Sequence, residues 1–169
     1  MNENEIIEKR KKDLQGYLKI VDDHFKNRPE GYILANGTLF VGREPSENIK
    51  GLLFEPIMKQ CHYNSQQLSI HKKYRYFEGF AMNTSVPMEH AWCVADNKVI
   101  DVTWTMWYEG INTNQDKTCV YYGIEIPVDF VWKNQLETSM AEPVIFKYLH
   151  SIGYDSRANA STNTFPTGA

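Results

Sequence analysis

Tyr74-Arg75-Tyr76-Phe77-Glu78-Gly79-Phe80-Ala81, then Glu89-His90-Ala91-Trp92-Cys93-Val94, then Val99-Ile100-Asp101-Val102-Thr103-Trp104: these three segments decide the fold. They are rich in aromatic and β-branched residues and carry a strand-like period. Asp96-Asn97-Lys98 is a tight-turn signal, so residues 91–95 and 99–102 read as the two arms of a hairpin. Residues 74–81 predict a strand before it, and residues 120–126 a strand after it. Upstream the pattern is helical. Ile7, Leu14, Leu18, Val21 and Phe25 mark one face over residues 3–27, with Glu8, Lys9, Arg10, Lys11, Lys12 and Asp13 on the solvated side. Asn27-Arg28-Pro29 supplies the stop. Residues 61–71 predict a second helix with Tyr63, Leu68 and Ile70 inward. Residues 32–35 and 38–42, split by Asn36-Gly37, predict a short hairpin, and residues 45–48 a turn or helix start. Residues 143–152 predict a last short helix closed by Gly153. Helices first and antiparallel strands afterwards make an α+β plan, with the helices packed on one side of the sheet.

The 169 residues predict a single domain over residues 1–154 and a flexible tail over 155–169, which is rich in Ser, Asn, Thr and Gly. A hydrophobic share of 42% and an aromatic share of 13% predict a packed core. The net charge of -3 argues against a nucleic-acid partner, which needs a basic face. No apolar run has the length of a membrane span, and the first residues carry no apolar signal core, so the expected location is cytoplasmic, with no membrane partner. Cys61, Cys93 and Cys119 are too few and too scattered for a disulfide framework or a structural zinc site. No cofactor and no metal are expected.

The chemistry lies in Cys61, His90 and Asp101, a thiol, an imidazole and a carboxylate in that order within 41 residues. A free thiol has a pKa of about 8.5, and both a helix N-terminus and a nearby imidazole lower it. Cys61 opens a predicted helix, His90 opens a strand, and Asp101 lies on the next strand of the hairpin. Antiparallel pairing brings His90 and Asp101 onto one face, so that Asp101 orients the imidazole and His90 draws the thiol proton. Taken singly, each has an ordinary structural explanation: a small buried hydrophobe, a strand histidine, a turn-former. The ordered set, with Trp92 and Trp104 close behind His90 and Asp101, is far more specific.

The ordered set resembles the core of the transglutaminase-like group of the papain-like cysteine enzymes. The matching residues are a Cys opening a helix (Cys61), Glu78-Gly79-Phe80 on a strand, His90-Ala91-Trp92 on the next, and Asp101-Val102-Thr103 on the third. The match covers about a quarter of the chain. Two departures stand out: Gln60 precedes the Cys where the group has a small residue, and Val102 stands where proline is common. The resemblance implies a papain/transglutaminase-like fold with Cys61 as nucleophile, His90 as general base and acid, and Asp101 as its orienter. It implies attack on an amide or peptide-type carbonyl through a thioester, by a hydrolase or acyltransferase with a small-molecule or peptide substrate. At 169 residues, the added domains of calcium-dependent cross-linking enzymes are not expected, which argues against protein cross-linking and calcium dependence.

The thioester route needs an oxyanion hole. The Cys61 N–H is the first candidate donor, and the side chain of Gln60, Asn64 or Trp104 the second. Trp92, Trp107, Tyr108 and Tyr122 are candidate pocket walls, and Gly123 offers close approach of a backbone or ligand. His62 adjoins Cys61 but ranks below His90, because neighbouring helical residues point about 100° apart. Cys93 and Cys119 read as structural, and His24, His71 and His150 as surface or boundary residues. The rival readings are a small-ligand-binding protein on the same fold, an inhibitory interaction protein, and a triad enzyme acting on a non-peptide small molecule.

Overall fold

The computed structural model describes residues 2–25, 28–43, 51–110 and 118–154. The sequence-predicted turn at 45–48 and tail at 155–169 lie outside these residues. The first helix, α1 (Glu3–His24), opens on a reciprocal cap in which Asn2 and Glu5 each bond the other's backbone N–H. Its buried residues are Ile7, Leu14, Leu18 and Val21. Phe25, expected to face inward, lies beyond the last turn and is 59% exposed.

The predicted hairpin at residues 32–42 is half right. Its second arm is strand β1 (Thr38–Arg43), but its first is a helix, α2 (Glu30–Asn36). The Asn-Gly pair ends this helix rather than turning a hairpin. The Gly37 N–H bonds the Ile33 carbonyl at 2.7 Å, and Gly37 has φ -74 and ψ 165, an extended conformation. A two-residue hairpin turn of the Asn-Gly type needs positive φ at both residues. Asp96 (φ 49) and Asn97 (φ 59) meet that requirement and join β3 (Met88–Ala95) to β4 (Lys98–Ile100).

Between β1 and this hairpin lie α3 (Cys61–Lys72) and β2 (Arg75–Met82), both close to the predicted bounds. The third predicted arm stops early. β4 ends at Ile100, and the chain turns into a helix, α4 (Val102–Gly110), that periodicity does not announce. Strand β5 (Thr118–Ile126) follows, then α5 (Val128–Thr138), which the sequence reading missed, and α6 (Ile145–Ser151). α5 buries Val131 and Asn134 while Trp132 and Leu136 stay about half exposed or more, so its apolar residues do not trace its inner face.

The protein is α+β. Its five strands form one antiparallel sheet in the order β1-β5-β2-β3-β4. The sheet curls until its two edges approach: a Cβ on Gly42 of β1 would come within 3.4 Å of Val99 in β4. Alternation then splits the interior in two. One face presents Tyr76, Phe80, Ala91, Cys93, Val120, Tyr122 and Ile126 to Leu14, Leu18, Leu68, Val131 and Leu149 from the helices. The other presents Phe77, Ala81, Trp92 and Tyr121 to Trp104 and Tyr108 of α4. The helices are therefore not all on one side, as the sequence suggested: among the described helices, α4 covers the second face.

At the centre, Gly79 of β2 faces Gly123 of β5. A Cβ on Gly123 would stand 2.4 Å from the Glu78 carbonyl oxygen and 2.5 Å from the Trp92 ring. The bare backbone is what lets the Trp92 indole lie across the sheet at this point. Gly123→Ala is predicted to destabilise the protein by ~1–3 kcal/mol. Gly16, on the exposed face of α1 with open space around it, gives the contrast: Gly16→Ala should stabilise by about 0.5–1 kcal/mol. Urea midpoints of the two variants test the pair; equal midpoints would contradict the packing argument.

Candidate active site

The short β4 creates the site. It pairs with β3 only over Cys93–Ala95, so residues 88–92 of β3 are left uncovered on that side. The N-terminus of α3 fills this place. It is fixed there by polar side chains: the Ser65 hydroxyl donates to the Ala91 carbonyl at 2.9 Å, and the Cys93 thiol donates to the Ser65 carbonyl at 3.2 Å. Asn64 donates to the Thr103 hydroxyl at 2.9 Å, joining α3 to the start of α4. Cys61 is thereby carried to His90 as the first residue of α3, where the leading amides have no carbonyl partner within the helix.

Asp101 reaches His90, though not as a strand residue. It stands after β4 as the cap of α4. Its Oδ1 accepts the Trp104 N–H at 3.0 Å, and its carbonyl accepts the N–H and hydroxyl of Thr105. Its Oδ2 is 2.7 Å from His90 Nε2 and accepts the Tyr121 hydroxyl at 3.0 Å. Asp101 is fully buried and His90 nearly so. The His90 ring also stacks on Trp104, with centroids 4.4 Å apart. With Nε2 engaged by Asp101, Nδ1 is the nitrogen left for the thiol.

A second imidazole is present. His62 Nδ1 lies 3.5 Å from the Cys61 sulfur. The angular argument that ranked it low applies to ideal Cβ directions, whereas at the first turn a ring can rotate across the helix end. Burial alone would push the Cys61 thiol up. Hydrogen bonds from His62 and His90, and the charge on both rings, outweigh it and bring the thiol from 9.0 to about 5. Burial opposes the charged form of His90, but the Asp101 carboxylate and its hydrogen bond, helped by Cys61, raise it to about 10. His62 is likewise raised against its burial, by the Cys61 sulfur and by the charge of Glu78.

Glu78 is a buried carboxylate on the opposite face of β2, bonded by the Tyr76 hydroxyl at 2.6 Å and by the N–H groups of Val144 and Ile145. Burial raises its pKa, with His62, Tyr76 and the two amides acting against the rise. The sequence singled it out only as part of Glu78-Gly79-Phe80.

Two cavities meet at this cluster. The larger, about 660 Å³, is lined by Cys61 and His90 together with Met58, Met88, Trp107 and Tyr108; Trp104 and Thr103 also border it. The smaller, about 30 Å³, lies between His62, Glu78, Glu89 and His90.

Of the candidate pocket walls, Trp107 and Tyr108 line the larger cavity. Trp92 does not: it is fully buried beneath Tyr121 and Phe77. Tyr122 faces the other side of the sheet, where its hydroxyl donates to the Leu34 carbonyl. Strand parity makes Tyr121 the residue on the site's face. Among the candidate oxyanion donors, Asn64 is fully engaged, donating to the Ile57 carbonyl and to Thr103 and accepting the Ile57 N–H. The Gln60 side chain is exposed and makes no cap bond to α3. Trp104 contributes its ring to His90. Cys93 and Cys119 are buried, and burial raises the Cys93 thiol well above its ordinary value.

Among the described residues, no cluster of three or more His, Cys, Asp or Glu is arranged to hold a metal ion, and no helix is long and apolar enough to cross a membrane. Compared with protein-family models, curated proteins and solved structures, the chain gives no match.

The two imidazoles make a titration prediction. Ultraviolet absorbance of the thiolate should rise with an apparent midpoint of about 5. Replacing either His62 or His90 with Asn removes a group that favours the thiolate, so the midpoint moves up in each variant. No shift in His62→Asn would mean that the 3.5 Å contact does not act on the sulfur.

Proposed function

We propose that this chain is a cysteine-nucleophile acyl hydrolase or acyltransferase, built on a papain/transglutaminase-like variant of its α+β fold. One observation carries the reading. A buried carboxylate grips one nitrogen of His90 at 2.7 Å and leaves the other for a thiol at a helix N-terminus, beside an open cavity.

The chemistry follows from the polarity of these groups. The Cys61 thiolate attacks the carbonyl carbon of an amide or related acyl donor, forming a C–S bond. The carbonyl π electrons move to oxygen, and the leading amides of α3, Cys61 N–H first, offer hydrogen bonds to that oxyanion. Collapse breaks the bond to the leaving group, which takes a proton from the His90 imidazolium. The thioester then meets water or an amine. His90 accepts a proton from this second nucleophile, a second tetrahedral adduct forms, and its collapse expels the Cys61 thiolate. Asp101 holds the ring in the orientation that serves both half-reactions.

Activity should rise with pH as the thiol ionises, through about 5, and fall as the imidazolium is lost, through about 10. Limiting iodoacetamide, followed by peptide mass spectrometry of the native protein, provides the direct check. Cys61 should be alkylated well before the buried Cys93 and Cys119, and the preference should fade in His90→Ala. Equal labelling of the three cysteines, or none at Cys61, would favour a binding or interaction protein instead.

A further inference from the structure

We propose that the larger cavity is an acyl pocket for an apolar acyl group bigger than acetyl, so that the substrates are amides, esters or thioesters of apolar carboxylic acids. This rests on the thiol-based reading above and adds the substrate class.

The first argument is the composition of the wall. Met58, Met88 and Trp107 are 44%, 42% and 42% exposed, and all three line the same cavity as the Cys61 thiol. Isolated apolar residues on a surface need no explanation, but a group of them gathered around one nucleophile does. Trp104 and Tyr108 extend this apolar lining inward. Methionine adapts its shape and the aromatic rings offer flat faces, so the wall suits an aliphatic or aryl chain and offers little to a charged one. The lining also holds Glu89, which pairs with Arg28 at 3.2 Å, Lys59, and the polar Asn83 and Thr84.

The second argument is volume. About 660 Å³ lies in the range that encloses a small organic molecule and far exceeds what an acetyl group fills. The third is the placement of the two cavities. Cys61 borders only the larger one, so a group bonded to its sulfur extends there. The smaller borders His90 from another side and is walled by His62, Glu78 and Glu89. At about 30 Å³ it has room for about one water, with His62, Glu78 and Glu89 as polar partners among Phe80, Ile145 and Phe146, and it is too small for an acyl chain. His90 alone of the proposed triad touches both spaces, as a group must that protonates a leaving group and then activates water while the acyl chain stays seated.

The test uses p-nitrophenyl acetate, hexanoate and phenylacetate, with the monosuccinyl ester as a charged comparison. Acylation of Cys61 is followed by intact mass and nitrophenolate release. Each rate is divided by the rate of the same ester with N-acetylcysteine, which removes intrinsic reactivity. Hexanoate and phenylacetate should exceed acetate and succinate by about tenfold or more, the scale on which an apolar pocket discriminates. Trp107→Ala and Met88→Ser, both at partly exposed positions and so tolerable to the fold, should each lower the hexanoate-to-acetate ratio severalfold. If Cys61 is acylated but the normalised rates are alike, or the ratio is unchanged in both variants, the acyl-pocket proposal fails and the cysteine mechanism stands. If no ester acylates Cys61, the mechanism itself fails.

Discussion

A single buried carboxylate fixes the geometry of the candidate site. Asp101 has no exposed surface, and an unpaired charge there would cost several kcal/mol. Its oxygens instead receive the His90 ring, the Tyr121 hydroxyl and the Trp104 amide, at the start of a helix whose dipole favours an anion. The same residue therefore stops β4, starts α4 and ties both to β3 and β5. Because it stops β4 after three residues, the edge of β3 around His90 is left open for α3. Were β4 two residues longer, it would pair with the part of β3 beside which α3 now packs.

The helix that carries Cys61 is held by directional bonds more than by apolar packing. Its buried residues are Asn64, Ser65, Gln66, Leu68 and Ser69. Each of the four polar ones has a partner: Thr103 and Ile57, Ala91, Tyr76 and Glu142, and the helix's own Gln66 carbonyl. Apolar contacts tolerate sliding, whereas a satisfied hydrogen-bond network defines one register. Gln66 extends the network to Gln135 in α5, and Tyr76 extends it to Glu78 and the start of α6. Helix α5, which the sequence did not announce, and α6, expected over residues 143–152, are thus part of the support for the helix that carries Cys61.

That polar seam also explains what the sequence could and could not convey. Period-two alternation with a demanding turn made β2, β3 and β5 legible, and an apolar stripe with a capping box did the same for α1. The grouping of Cys61, His90 and Asp101 was legible because their order and neighbours are distinctive, and because Cys61 opens a recognisable helix. α5 has no such signature, since Trp132 and Leu136 are exposed while the polar Asn134 is buried beside Val131. The strand assignment for Asp101 failed because a carboxylate after an apolar run is as good a helix cap as a turn-former, and only tertiary pairing decides between them. The choice of Tyr122 over Tyr121 failed on parity: one residue's shift in a strand exchanges the faces. His62 was underrated because a helical wheel fixes the Cβ direction, not where an imidazole lies at the end of the helix.

The charge balance around the sulfur bears on how such a site would turn over. In the resting protein the thiolate stands with two imidazoles, and Asp101 and Glu78 lie behind them. The rise of His90 to about 10 has Asp101 as its main source and Cys61 as a second. Taken alone, that value would make the ring a poor proton donor at neutral pH and a poor base once protonated. Acylation changes the condition. A thioester sulfur carries no charge, so the part of the shift owed to Cys61 disappears when the C–S bond forms, and His62 loses its nearest anion at the same moment. Both rings then hold their protons less tightly, which helps His90 protonate the leaving group and leaves it neutral and basic for the second nucleophile. When the thiolate returns, the pair is restored. In the proposed reaction the sulfur is therefore nucleophile and also the charge that sets the proton affinity of its own acid and base.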